Sequence, residues 1–198
     1  MTISEAESHY RRLVSRWFED TFCITWTHGL DVEEVAAVFD SGIDTGRRLD
    51  FVDAMNAASD AREIAGEPCS GIAGRLGRWT VTIEPKGYKG SLWETMRTLS
   101  EKGTTISVLY SWNAQTLDYT VHGEHIAGID LFETATPTGG SDPHRLDPHL
   151  KGLSFDDELS IKASSLVVCE RITGERLDEA WLARKHRWML WEDLDSYQ

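Results

Sequence analysis

The sequence predicts an α+β fold: a twisted, mainly antiparallel sheet of five or six strands, with helices packed on one face and a C-terminal helical pair. Three observations predict it. From Gly77 to Phe132 four segments alternate apolar and polar residues, as where Trp79, Val81 and Ile83 oppose Thr80, Thr82 and Glu84, or Ile106, Val108, Tyr110 and Trp112 oppose Thr105, Ser107, Leu109 and Ser111. Period two marks strands with one buried and one more polar face. Between the first two of these segments Leu92, Met96 and Leu99 recur at helical spacing, so the core reads β-α-β-β-β. Finally, 198 residues, 40% of them hydrophobic and eight of them tryptophan, can bury one core without disulfide or metal staples. One domain over 1–198 is expected, with a mainly helical part at 1–70, a central sheet at 71–133, a long loop at 134–150 and C-terminal helices at 151–198.

In chain order, Ser4 is placed to cap the first helix with Glu7 reaching back, and Ala6, Tyr10, Leu13, Val14 and Trp17 form its apolar stripe. A short strand, Phe22 to Thr27, yields at Gly29 to a helix capped by Asp31 with Glu34 three residues on. Val32, Val35, Ala36 and Phe39 share that helix's inner face. From Ser41 to Pro68 the pattern blurs, with Leu49 to Ala65 helical before Pro68. Strands at Gly71 to Leu76 and Arg78 to Glu84 lead into the Pro85-Lys86-Gly87 turn. Ser91 with Glu94 reads as a capping box for a helix from Leu92 to Lys102 that buries Leu92, Met96 and Leu99. Strands Thr105 to Trp112, Gln115 to His122 and His125 to Phe132 form a meander through tight connections. Thr134 to Leu150, rich in proline, glycine and polar turn formers, reads as a surface loop. Two helices close the chain: Asp156 to Arg171, and Leu177 to about Leu194 with a stripe of Leu177, Trp181, Trp188 and Trp191.

Composition narrows the function. Thirty-three acidic against 20 basic side chains leave a formal charge of −13, which repels nucleic-acid phosphates and anionic membrane surfaces. No nucleic acid and no membrane are therefore expected as partners, and a basic protein is the complementary one. The opening twenty residues are too charged for a signal peptide, and no apolar run reaches membrane-spanning length. Cys23, Cys69 and Cys169, odd in number and widely separated, suit reduced core thiols in a cytoplasmic protein.

Candidate chemistry is sparse. Asp142-Pro143-His144 recurs as Asp147-Pro148-His149, and His122 and His125 stand upstream. These are metal-ligand types, but the spacing in a proline-punctuated loop matches neither a metalloprotease helix nor a finger, so no metal and no other cofactor is expected. Asp-Pro is also an ordinary turn or helix start. No nucleophile elbow or phosphate loop is present, and glycines 66, 71, 74 and 77 suit turns or bulges. Enzyme chemistry is the less favoured class, although a triad assembled from distant loops leaves no local trace. Among the tryptophans, Trp17, Trp26, Trp79, Trp93 and Trp112 fall in helix or strand patterns that suit a core. Trp188 and Trp191, beside the basic run Arg184-Lys185-His186-Arg187, are the candidates for a binding anchor, with Arg184 and Arg187. A docking helix that seals the sheet's face is the favoured reading of these residues, and the binding anchor its alternative.

Gly77-Arg78-Trp79-Thr80-Val81-Thr82-Ile83-Glu84-Pro85, then Gly87, Gly90-Ser91, Leu99-Ser100, Gly103 and Ile106-Ser107-Val108, together with Phe22 to Trp26 and the Asp142-Pro143 loop near Leu146, carry a family likeness. Across most of its length the chain resembles an uncharacterised family of small actinobacterial (Streptomyces-type) proteins classed only as a domain of unknown function. Lys86 stands where that family more often has Asn, and His122 where it more often has Asp. The resemblance implies a bacterial cytosolic protein and carries no activity or catalytic residues.

Two functions follow as expectations. The first is an intracellular acidic protein-binding module, of an immunity or inhibitor type, that occludes a basic partner. The alternative is a small-ligand-binding protein or hydrolase with its site at the sheet mouth and the 134–150 loop, using His122, His125, Asp142, His144, Asp147 and His149. Oligomeric state is not legible.

Overall fold

The computed structural model describes residues 4–18, 21–39, 46–132 and 135–191. Ser41 and Thr134, expected to open irregular segments, lie outside the described residues, as does the expected helix end at Leu194.

Helix α1 (Glu5–Trp17) starts where Ser4 accepts the Glu7 N–H at 3.1 Å. Glu7 pairs with Arg11 instead of closing the capping box. At α2 (Val32–Phe39) both halves of the box form: Asp31 accepts from the Glu34 N–H and Glu34 from the Asp31 N–H. Asp50 caps α3 (Phe51–Ala65), and Gly66 in the left-handed region ends it.

The strands are β1 (Phe22–His28), β2 (Arg48–Leu49), β3 (Ser70–Leu76), β4 (Trp79–Pro85), β5 (Thr104–Tyr110), β6 (Gln115–Val121), β7 (Glu124–Asp130), β8 (Thr136–Gly139) and β9 (His186–Leu190). They form one antiparallel sheet in the order β2-β9-β3-β4-β1-β5-β6-β7-β8. Among the described residues there are thus nine strands, not five or six. The additional ones have physical reasons to be missed. β2 is two residues long, β8 lies in the proline-rich segment, and β9 is buried on both faces, so its continuous apolar run mimics a buried helix. The expected C-terminal helical pair is therefore one helix, α6 (Glu158–Thr173), followed by a single turn, α7 (Glu179–Leu182), and a strand inside the sheet. The 134–150 segment likewise holds β8 and a short helix, α5 (Asp147–Leu150).

Helices cover both faces, not one. Residues paired across the ladder share a face. Ile24, Ile83 and Val108 are paired in register and meet the side carrying α1, α3 and α6, where Phe18 packs on Phe22 and Phe51 and the Trp79 indole donates to the Thr173 carbonyl. Of the expected core of Trp79, Val81, Ile83, Ile106, Val108 and Tyr110, the first five are buried there, and Tyr110, at the end of β5, packs against it only partly buried. Cys23, Glu84 and Leu109 share the opposite side with Thr25, Thr82 and Ser107. That side is polar by sequence, yet in the middle of the sheet it is buried, beneath α2, the 3-10 turn Lys89–Ser91 and α4 (Trp93–Ser100). No helix is long and apolar enough to cross a membrane among the described residues.

Candidate functional site

The two tryptophans proposed as anchors are inside. Trp188 in β9 is 6% exposed and Trp191 just beyond it 5%. Trp188 pairs with Ile72 of β3, and the Trp191 ring meets Phe39 at 5.8 Å, so neither is available as an exposed contact. Arg187 is drawn into an ion pair with Glu33 at 2.8 Å, while Arg184 is exposed beyond α7. Glu192, Asp193 and Asp195, which follow in sequence, lie outside the described residues.

The polar alternative is also dispersed. His122 is exposed at the β6–β7 turn with φ 48. Asp142 is exposed, and His144 with Asp147 forms a surface pair at 3.0 Å. His149 shares a cleft with Tyr119 on the α6 side of the sheet, where burial and the nearby Arg171 push its pKa down. His125 lies on the other side, beyond the sheet itself. Among the described residues no group of three or more His, Cys, Asp and Glu side chains could hold a metal ion.

What the fold does bring together lies between α4 and the β6–β7 ladder. Ser91, Trp93, Met96, Asp118 and His125 line a cleft of about 340 Å³. His125 Nε2 is 3.1 Å from Asp118 Oδ1, and this hydrogen bond raises the imidazole pKa against the opposing effect of partial burial. Hydrogen bonding to the Ala127 backbone raises it further. The ladder slips between Tyr119 and Thr120, a bulge that sets His125 and Asp118 together across the hairpin. Trp93 meets the His125 ring edge-on at 6.1 Å.

The same corner carries an apolar rim. Trp93 is 49%, Leu92 47% and Tyr88 44% exposed. The expected Ser91–Glu94 capping box is absent, because α4 starts at Trp93 with Leu92 as an N-cap that makes no side-chain bond, and the Ser91 hydroxyl donates to the Tyr88 carbonyl at 2.7 Å. Starting one residue later turns Leu92 outward, while Met96 and Leu99 remain buried as expected. Acidic side chains flank this rim: exposed Glu94 in the first turn of α4, and Asp118 in the adjoining cleft.

Glu84 holds the rim in place. It is fully buried, and its carboxylate accepts the N–H groups of Lys89 at 2.7 Å and Gly90 at 2.6 Å. A Cβ on Gly90 would lie 2.3 Å from Thr25 Oγ1 and 2.7 Å from Glu84 Oε1, so only glycine lets the turn approach this closely. Burial pushes the Glu84 carboxyl up to about 7, against the two N–H groups and the Cys23 thiol, which favour its charged form. Burial, then the charge of Glu84, pushes the Cys23 thiol well above its usual range, and its Sγ lies 3.4 Å from Ser107 Oγ. Cys23, Cys69 and Cys169 are all buried, and none is in a disulfide among the described residues.

The missed signal was a strand whose polar face is buried. Thr80, Thr82 and Glu84 read as solvent-facing because alternation alone does not say whether a second layer of helices covers them.

The chain matches the model of a family described as Family of unknown function (DUF6461) over residues 7–187, and it belongs to that family. No curated protein and no solved structure matches it.

Proposed function

We propose that this family member is an acidic protein-binding module that occludes a basic partner, as an immunity- or inhibitor-type protein would, in the cytoplasmic, actinobacterial setting that its resemblance implies. Its docking surface is the rim of Tyr88, Leu92 and Trp93 beside the Asp118–His125 cleft. The observation that carries this reading is that three large apolar side chains within six residues stand about half exposed on a turn that a buried carboxylate pins in place. Exposed aromatic clusters on a rigid frame are the usual material of binding hot spots. Glu94 and Asp118 at their edge, in a chain of charge −13, select for a basic surface.

The small-ligand or hydrolase reading draws support from the same Asp118–His125 pair. Catalysis is the weaker use of it. The Ser91 hydroxyl is committed to the Tyr88 carbonyl, and the imidazole is engaged by Asp118 and the Ala127 backbone. A nucleophile and its base would instead face each other.

Photo-crosslinking tests the reading. A crosslinker replacing Trp93 is expected to trap a basic protein in the native cell, while one replacing Val52, equally exposed on α3, traps none. Equal trapping from both positions, or an acidic adduct at 93, would overturn it.

A further inference from the structure

We propose that a second cleft, at the end of the sheet where β1 begins and β4 and β5 finish, binds a planar aromatic phosphomonoester, of which a mononucleotide is the simplest example. Arg62, Lys86, Tyr110, Ser111, Trp112 and Glu158 line about 490 Å³ there. That volume falls in the range of small-molecule sites, roughly 300–1,000 Å³. It lies away from the rim of Tyr88, Leu92 and Trp93 and stands or falls independently of it.

Three observations point to the ligand. Trp112 is 84% exposed, the most exposed large hydrophobic residue among those described. The β5–β6 turn that carries it is tied locally, the Ser111 hydroxyl meeting Asn113 Oδ1 and the Ala114 backbone. An unburied indole is a stacking platform for a planar ring. Second, two cations face the same space in a strongly acidic chain, and among the described residues neither Arg62 nor Lys86 is ion-paired. Among the described residues the Lys86 ammonium donates to the neutral Ser59 hydroxyl, at 3.0 Å, and to no carboxylate. Among the described residues the carboxylate on the wall is Glu158, which Lys162 neutralises at 2.7 Å. Third, Lys86 has φ 63, a left-handed conformation that a non-glycine residue rarely adopts. Glycine or asparagine would hold this turn with less strain, so what the lysine adds here is its charge facing the cleft.

An arginine fork with an ammonium beside it is the chemistry of a phosphate site, and the indole adds the ring. The overall charge of −13 disfavours a polynucleotide, whose many phosphates feel the whole field, far more than a single phosphate held by two local cations.

Calorimetric titration of the full chain at low salt with adenosine 5′-monophosphate, adenosine and inorganic phosphate tests this. The monophosphate should bind at least about tenfold more tightly than either of the others, since each supplies only half of the contacts. Lys86→Asn and Arg62→Gln should each weaken the monophosphate about tenfold and leave adenosine unchanged, whereas Trp112→Ala should weaken both. Lys86→Asn also relieves the backbone, so its melting temperature at or above wild type rules out misfolding as the cause. Monophosphate binding no tighter than phosphate alone, or unaltered by Lys86→Asn and Arg62→Gln, overturns the proposal, as does no binding at millimolar concentration.

Discussion

Replacing Glu84 by glutamine separates the pinning of the turn from its charge. Burial raises this carboxyl from 4.5 to about 7, a gap of about 2.5 pH units, which at 1.36 kcal/mol each is about 3 kcal/mol. The sign follows from proton counts. Between pH 4.5 and 7 the native state holds a proton that the unfolded chain has released, so this group's contribution to stability falls as pH rises through that window. Below it neither state is penalised; above it the full cost applies. Glu84→Gln does not titrate. Its amide keeps one acceptor and turns a donor towards one of the Lys89 and Gly90 N–H groups, a constant cost of about 1–3 kcal/mol. The variant should therefore be the less stable protein at pH 4.5, and should gain on wild type by about 3 kcal/mol as the pH is raised to 8. Urea unfolding at half-unit pH intervals measures the difference, from which the titration of every other carboxylate cancels. A difference that stays constant within about 0.5 kcal/mol from pH 4.5 to 8 would refute the reasoning, because Glu84 would then ionise as an exposed residue does.

Three further outcomes are expected. Trp188→Ala or Trp191→Ala should cost about 3–5 kcal/mol in thermal or urea unfolding, while Trp93→Ala and Trp112→Ala stay within about 0.5; equal losses would contradict the assigned burial. Cys23 should resist an aromatic disulfide reagent in the native protein at pH 8 and react fully in urea; labelling of the folded chain at the rate of a free thiol would place it nearer the surface. In an NMR titration Asp118→Asn should lower the His125 pKa towards the ordinary imidazole value. It should also remove a stability contribution present below that value and lost as pH rises through the folded pKa, and an unmoved titration would sever the pair.

Six strands and the helices α1, α2, α3 and α6 were legible in the sequence, because each has one apolar stripe or one apolar face together with a local capping or turn signal, and α4 was legible apart from its start. β9 was not. His186 to Trp191 packs both faces, and Trp181, Trp188 and Trp191 happen to fall at helical spacing, so periodicity pointed to an amphipathic helix and outward to an interface. The exchange of roles among the tryptophans has the same origin. Trp112 completes a perfect strand alternation and yet stands beyond the ladder's last pair, Tyr110 with Gln115, while Trp93 lies on the outer side of a helix that starts one residue late. Neither fact is a property of the residue's neighbours in sequence. The Asp118–His125 pair depends on a ladder slip at Tyr119, and the Glu84 clasp on a turn folding back over a strand. Both are tertiary placements without a local signature.

The docking of a basic partner on the acidic face is tested most directly by the association rate of the protein trapped at position 93, measured from about 20 mM to about 0.5 M salt, where the Debye length contracts from roughly 20 Å to below 5 Å. Wild type should associate at least about tenfold more slowly at the upper end with a dissociation rate changed less than about twofold, since screening weakens steering between separated surfaces and not the contact itself. An association rate indifferent to salt would contradict recognition by charge and leave the acidic excess without a part in binding.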